Sequence, residues 1–236
     1  MPYFFDYWYL VLVVPAMLFA LIASISVNTT FEKYAKQRSL RNITGANAAR
    51  RVLDANGLYN VQIRHVSGKL TDHYNPRDNT IYLSDSVYDN TSTAAIGVAA
   101  HEAGHAVQHA THYLPIKIRA AIIPATNIGS RLAIPLILIG LLLGAWNGNY
   151  LLAYVGILCF SLTAVFQLVT LPTEFNASRR AMRALESGGI LGRDELHGAR
   201  KVLTAAAMTY VAALAVSLAQ LLRLLLIVAG NSRRRS

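Results

Sequence analysis

Cysteine and charged residues are both scarce in this sequence. The 236 residues include a single cysteine, Cys159, which excludes an internal disulfide and any zinc site built on cysteine. Charged residues make up only 14% of the chain and hydrophobic residues 54%, and the mean hydropathy is +0.36. This balance is too apolar for an ordinary soluble protein and indicates a membrane protein.

Acidic residues are outnumbered by basic residues, 12 against 22, and the formal net charge is +10. No basic, aromatic-rich module is visible, so we expect no nucleic-acid partner. In a membrane protein the positive-inside rule accounts for such an excess more economically. Basic residues follow the first apolar run directly, at Lys33, Lys36, Arg38, Arg41, Arg50 and Arg51. We therefore expect an integral protein of the plasma or inner membrane, with its N-terminus outside and a catalytic domain, beginning at residue 28, that faces the cytoplasm.

Long apolar runs predict three to four transmembrane helices. Residues 7–27 match one bilayer thickness, and Asp6 stands where a cleaved signal peptide would carry positive charge. The runs 128–146 and 150–171 flank a polar turn and predict a helical hairpin with an external tip. An aromatic belt is expected at the first span, from Tyr3, Tyr7, Trp8 and Tyr9.

The last apolar run, 202–230, is interrupted by Gln220 and Arg223. It is either a fourth span or a helix that lies in the interface or packs on the catalytic domain. Three arginines at 233–235 favour the second alternative and a cytoplasmic C-terminus, because a fourth span would place them outside.

The stretch Ala99–His109 contains the pattern H-E-x-x-H within an alanine-rich segment from 92 to 111 that predicts a helix. On a helix His101 and His105 share one face, where two imidazoles can hold one zinc ion. Glu102 then lies beside the metal, where it can take a proton from the attacking water and pass it to the leaving amine.

A catalytic zinc site needs a third protein ligand, and Glu174 is the best candidate. It follows Pro172, which is expected near the first turn of a new helix. The intervening hairpin crosses the membrane twice, so Glu174 returns to the side of His105.

Other residues are weaker candidates for the third ligand than Glu174. His109 lies two helical turns after His101, where the side chain is rotated by roughly 80° around the helix axis, and this favours a supporting or structural role for it. Thr111 and Gln108 exclude the H-E-x-x-H-x-x-G-x-x-H type. Glu186, Asp194, Glu195 and His197 are better explained as solvated surface residues.

Two strands are predicted before the motif helix, at 61–66 and 80–84, with turn-forming residues at 74–79 between them. They would form a small β-hairpin or sheet. Thr80, Ile81, Tyr82 and Leu83 are candidates for an edge strand that pairs with substrate. An ordinary hairpin beneath the helix is an equally good interpretation.

The combination of HEAGHAVQHA, the hairpin and TEFNASRRA resembles the YugP-type membrane-embedded zinc peptidases. It is more distantly similar to the HtpX and Ste24 peptidases, in which a downstream Glu-x-x-Ala-Asp supplies the third ligand. The likeness runs from the first span past Ala181. It implies that His101, His105 and Glu174 bind zinc and that Glu102 is the base. Ser178 stands where HtpX has Asp, and it would orient a ligand histidine more weakly.

The sequence thus predicts a mainly α integral membrane protein with a zincin-like catalytic domain and one catalytic zinc ion. The expected function is endopeptidase cleavage of protein or peptide substrates, in membrane protein quality control or regulated proteolysis, in contact with membrane lipid. A homo-oligomer or a membrane partner protein is plausible for so apolar a surface. The expected division is an anchor at 1–27, catalytic parts at 28–127 and 172–201, a hairpin at 128–171 and a C-terminal segment at 202–236.

Two other classes of function stay open at this point. One is a zinc-binding membrane scaffold or assembly partner with little or gated protease activity, against which the intact Glu102 argues. The other is a structural membrane protein in which the two histidines do not bind metal directly.

Overall fold

A computed structural model describes residues 6–233 of the chain. Tyr3 of the expected aromatic belt, and Arg234 and Arg235 of the basic tail, lie outside the described residues. A π-helical turn at Tyr9–Val13 leads into the first α-helix. The helices are α1 (Val14–Ala35), α2 (Gly45–Ala55), α3 (Thr93–Ala110), α4 (Leu114–Asn147), α5 (Leu151–Ser187) and α6 (Arg193–Arg233), and the strands are β1 (Gln62–Val66), β2 (His73–Asn75) and β3 (Thr80–Ser84). The protein is a mainly α membrane protein with a small three-stranded sheet.

The chain divides into two compact units that alternate along the sequence. One, here called the α3 unit, comprises residues 23–116 and 172–208. The other, here called the bundle unit, comprises the described residues up to 22, residues 117–171 and residues from 209 onward. The division expected from the sequence had breaks after residues 27, 127, 171 and 201.

The α3 unit has one apolar core built around the helix that carries the motif. Helix α3 begins after Ser92, whose side chain accepts a hydrogen bond from the Ala95 N–H at 3.2 Å, a standard N-terminal cap. Ile96 and Ala99 on this helix are fully buried. The other core positions come from α2, β3, α5 and α6 and include Leu53, Ile81, Leu83, Leu185 and Val202. Burial on nearly all sides explains why α3 is composed of small residues.

The sheet has the order β1-β3-β2. Strand β3 pairs in parallel with β1 and antiparallel with β2. The segment Thr80–Leu83 is therefore central, and its prediction as a substrate-binding edge strand is wrong. The sequence analysis missed the three-residue strand β2, which occupies the position beside β3 and leaves β1 and β2 as the edges.

Two long helices continue through internal prolines. Helix α4 contains Pro124 and Pro135, and α5 contains Pro172, without ending at any of them. The separate helix expected to open at Leu171 is thus the second half of α5. A proline removes one N–H donor from the helix ladder, and long membrane helices tolerate this where neighbouring groups compensate.

Four helical segments are long and apolar enough to cross a membrane: Tyr9–Ala35, Leu114–Asn147, Leu151–Ser187 and Arg193–Ser232. Within the bundle unit, Leu224 and Val228 near the end of α6 pack with Ile137 of α4 and with Tyr150, which directly precedes α5. The last run is therefore a candidate fourth span. Four crossings would put both termini on the same side of the membrane, whereas the sequence predicts an external N-terminus and a cytoplasmic C-terminus; the orientation stays a prediction.

The polar residues that interrupt the last run have partners inside the bundle unit. Arg223 donates from Nη2 and Nε to Asp6 Oδ2, at 2.7 Å and 2.9 Å. Its guanidinium also lies 5.1 Å from the ring centre of Tyr9. Asp6, which argued against a signal peptide, is thus the counter-ion of the one arginine that disturbed the last apolar run.

Candidate metal centre

Helix α3 presents both motif histidines on one face. The helix runs unbroken from Thr93 to Ala110, so His101 and His105 are one turn apart. Their rings meet edge to face with centroids 4.7 Å apart. The Nε2 atoms are 3.1 Å from each other. Both imidazoles therefore aim the same ring nitrogen at a common point.

Helix α5 brings Glu174 to that point. Its Oε2 atom lies 3.3 Å from His101 Nε2 and 3.5 Å from His105 Nε2. These three atoms form a nearly equilateral triangle. For ligands bound to zinc at 2.0–2.1 Å, tetrahedral angles give edges of about 3.3–3.4 Å. The triangle thus has the size of one face of a tetrahedral zinc site.

The far side of the His105 ring is held by Gln108, one turn further along α3. The Gln108 Nε2 donates to the Thr173 carbonyl at 2.7 Å and to Asn176 Oδ1 at 3.0 Å. The amide is thereby oriented, and its Oε1 faces His105 Nδ1 at 3.0 Å. Because an amide oxygen only accepts, Nδ1 must carry the proton. The Nε2 lone pair is then free for a metal.

The far side of the His101 ring is held by Ser178 on α5. The Ser178 Oγ lies 3.0 Å from His101 Nδ1. A hydroxyl can accept a hydrogen bond from Nδ1, which would give His101 the same tautomer as His105. Ser178 thus lies within hydrogen-bond distance of His101, and its supporting role stays a prediction. A hydroxyl can also donate, so it fixes the tautomer less firmly than the Gln108 amide does.

The electrostatics at this point favour a cation. Glu174 Oε2 is buried and has no hydrogen-bond partner, an arrangement that is unfavourable unless a cation satisfies it. Burial lowers the pKa of the His105 imidazole, but the Glu174 and Glu102 carboxylates outweigh burial and raise the pKa above its usual value. The donor set, two neutral imidazole nitrogens and one carboxylate, is that of catalytic zinc. These residues therefore fit one zinc ion.

The close approach of α3 and α5 depends on a glycine within the motif. A Cβ atom at Gly104 would lie 2.6 Å from the Ala177 carbonyl oxygen, which is closer than real Cβ contacts. Ala177 is itself fully buried. Small residues on both helices thus let Glu174 reach the two histidines.

Glu102 lies on the buried side of α3, with 8% of its surface exposed. A second acid, Asp72, accepts hydrogen bonds from Ser84 N at 2.7 Å and Ser84 Oγ at 2.9 Å. Burial raises the pKa of Asp72, and the charge of Glu102 contributes in the same direction. The carboxyl groups of Asp72 and Glu102 are therefore within electrostatic reach of each other.

Among the described residues, the histidine, cysteine and carboxylate groups that could hold a metal form one cluster, His101, His105 and Glu174. His109 packs against the Tyr74 ring, with centroids 5.4 Å apart, and its supporting role stays a prediction. Glu195 differs from expectation, since it is buried and accepts from the backbone N–H groups of Leu40 and Gly192 at 2.7 Å and 2.6 Å.

Sequence reasoning missed the supporting residues Gln108, Asn176 and Asp72. A signal existed for Gln108, because a position three residues after His105 lies on the same helix face. Asn176 and Asp72 gave no such signal, since their partners Gln108 and Ser84 lie on other elements.

Two comparisons with known proteins bear on this site. The family model described as "Putative neutral zinc metallopeptidase" matches residues 9–229. The chain is also 46% identical over 219 residues, covering 93% of this chain and 96% of the other, to the "Putative membrane protease YugP" of Bacillus subtilis (strain 168). No solved structure matches the chain.

Proposed function

The chain belongs to this family of neutral zinc metallopeptidases, and on that premise we propose that it is a membrane-bound zinc endopeptidase with Glu102 as its general base. One observation carries the proposal. The atoms His101 Nε2, His105 Nε2 and Glu174 Oε2 surround one point at separations of 3.1, 3.3 and 3.5 Å. Three ligands and an open fourth position are the arrangement of catalytic zinc.

His101, His105 and Glu174 would hold one zinc ion, which when bound polarises the peptide carbonyl and lowers the pKa of water to about 7. Glu102 removes a proton from the attacking water and delivers it to the leaving amine. Gln108 and Ser178 keep the two imidazoles in the tautomer that leaves Nε2 free.

The proposed substrates are misfolded or regulatory membrane-associated proteins, and the proposed role is membrane protein quality control or regulated proteolysis. The four candidate spans support this role, because they would anchor the chain in the membrane. The apolar side chains exposed on the bundle unit, such as Leu21 and Ile22, suit contact with lipid and with a membrane partner or a second copy.

The proposed topology places the α3 unit in the cytoplasm and the N-terminus outside. The cluster of basic residues between 33 and 51 supports it. Single cysteines in a Cys159→Ala background test it: Tyr59→Cys, on an exposed position of the α3 unit, and Trp146→Cys, beside the α4–α5 turn. In intact cells a membrane-impermeant maleimide should label only the second variant. Labelling of only the first would invert the topology.

The activity is tested with the purified full-length protein and its Glu102→Gln variant. We expect both to contain about one zinc ion, and we expect the variant to cleave an unfolded protein roughly 10²–10⁴-fold more slowly. Glu186→Gln, an exposed acid on α5, should cleave normally. Unchanged cleavage by Glu102→Gln would disprove the base assignment. Zinc in both proteins without cleavage by either would favour the gated protease or scaffold.

A further inference from the structure

A second polar site lies in the α3 unit, away from the motif face of α3. It is an open cavity of about 630 Å³, within the size range of small-molecule sites. Three arginines line it: Arg51 from α2, and Arg180 and Arg183 from α5. Its lining includes the polar residues Asn56 and Ser187 and no carboxylate. We call this cavity the arginine pocket.

The positive charge of the arginine pocket is not neutralised by neighbouring side chains. Among residues 6–233, the side chains of Arg51 and Arg183 make no hydrogen bond or ion pair, and the nearby Asp54 is paired with Arg50 instead. Arg41 adds a further positive charge nearby: its Nη2 lies 3.5 Å from the Cβ position of Gly189, and the neighbours of that glycine, Gly188 and Ile190, line the cavity. Like charges held together destabilise a fold unless a counter-ion joins them.

The helix dipole does not explain this cluster. A cation stabilises the C-terminal end of a helix only from within its last turn, and neither α2 nor α5 has a basic residue in its last turn. Convergence of cations from two helices into one concave site is the arrangement that binds anions such as phosphate.

Arg180 connects this pocket to the proposed metal centre. Its Nε donates to Asn176 Oδ1 at 2.8 Å. The same Oδ1 accepts from Gln108 Nε2 at 3.0 Å, and Gln108 Oε1 faces His105 Nδ1 at 3.0 Å. Gln108 is fully buried, so water does not compete with it for these bonds. The terminal nitrogens of Arg180 are left for a ligand in the pocket.

We propose that the arginine pocket binds a phosphate group, and that bound phosphate strengthens metal binding by holding Arg180, Asn176 and Gln108 in the arrangement that orients His105. A dianionic phosphate suits several guanidinium groups, which can each bind it through two N–H donors. The source of the phosphate is either an anionic lipid headgroup or a soluble phosphate compound. The coupling rests on the proposed metal centre, whereas phosphate binding does not.

Binding is tested on metal-free full-length protein in phosphatidylcholine nanodiscs, by calorimetric titration with glycerol phosphate. The combined Arg51→Gln, Arg183→Gln variant removes two exposed arginines and should weaken binding at least about tenfold. Arg179→Gln is the matched control, since Arg179 is next to Arg180 but lines a different cavity. Binding that is absent, or equal in wild type and the double variant, overturns the proposal. Equally tight arginine-dependent binding of succinate overturns the assignment to phosphate.

The same titration in phosphatidylglycerol nanodiscs distinguishes the two sources. If the lipid headgroup fills the pocket, glycerol phosphate should lose its arginine-dependent binding there. If the ligand is soluble, binding should persist in both kinds of nanodisc. Either result supports a phosphate site.

The coupling is tested by competition for zinc between the protein and a chelator, with and without glycerol phosphate. We expect phosphate to tighten zinc binding severalfold in wild type, and we expect Asn176→Ala to bind phosphate normally and lose this gain. Tightening that survives in Asn176→Ala overturns the proposed connection. An absence of zinc binding in every protein would refute the metal centre and leave the phosphate result standing.

Discussion

Buried charge is arranged differently in the two units. In the bundle unit Arg223 and Asp6 bond directly to each other, with side chains only 8% and 19% exposed. In the α3 unit Glu174 faces two histidines whose other nitrogens are already engaged, and its Oε2 has no hydrogen bond. A closed pair needs no ligand, whereas an open cluster of acceptor atoms does. The Arg223–Asp6 pair is therefore expected to be structural, and the cluster around Glu174 is expected to bind a cation, whether or not the sequence motif is considered.

The largest expected effect comes from removing the open carboxylate. Glu174→Gln should weaken zinc binding by more than the roughly 10–100-fold that follows loss of an outer partner, because a ligand itself is lost. The metal-free variant should be at least as stable as metal-free wild type, since an unpaired buried charge is removed. Zinc competition and thermal unfolding of both forms measure this. Zinc affinity within tenfold of wild type would remove Glu174 from the site.

Disrupting the Arg223–Asp6 pair should have the opposite effect: it should lower stability and leave zinc affinity unchanged. Arg223→Met leaves Asp6 without its partner and should cost about 3–5 kcal/mol of stability, with unchanged zinc affinity. The double variant with Asp6→Leu should recover most of that stability, because no uncompensated charge remains. Denaturant unfolding in detergent measures both. A double variant as unstable as the single one would show that the pair acts through more than its charges.

A smaller effect is expected where α3 and α5 touch. Gly104→Ala places a Cβ 2.6 Å from the Ala177 carbonyl oxygen, and overpacking of this kind costs about 1–3 kcal/mol. It should also move Glu174 from the histidines and weaken zinc binding. Gly230→Ala is the control, because nothing lies within 4 Å of its Cβ position, and alanine there should add about 0.5–1 kcal/mol. Equal stability changes in the two variants would contradict the proposed close packing.

The smallest expected effect on zinc binding comes from changing Ser178, which contacts His101 and not His105. Ser178→Ala removes the acceptor at His101 Nδ1 and should weaken zinc binding about tenfold. Ser178→Asp supplies a stronger acceptor and should tighten it. Zinc competition at fixed pH measures both variants. If alanine and aspartate shift the affinity in the same direction, Ser178 does not act by orienting His101.

Local patterns predicted the parts of the fold that local interactions determine. The limits of α3 followed from Ser92 and the alanine-rich segment, and the four apolar helices followed from length and hydropathy. The motif and Glu174 could be singled out because H-E-x-x-H and the His₂Glu ligand set have a fixed chemistry.

The errors concern partners that are distant in the sequence. Strand β2 has only three residues, which is too short for an alternating pattern to predict it. Because β2 is not predicted, the sequence makes β3 look like an edge strand. Pro172 suggested a helix start because single-sequence rules describe isolated helices, whereas α5 continues through it. Gln108 was set aside as a mismatch to another motif, and its role depends on Thr173 and Asn176, which follow the hairpin in the chain.

The order of the elements along the chain also bears on synthesis. A ribosome makes His101 and His105 before the α4–α5 hairpin, and it makes Glu174 only in the second arm of that hairpin. A nascent chain therefore carries two of the three proposed ligands until the hairpin has emerged. The proposed metal centre can therefore be completed only after both arms of the hairpin have been made.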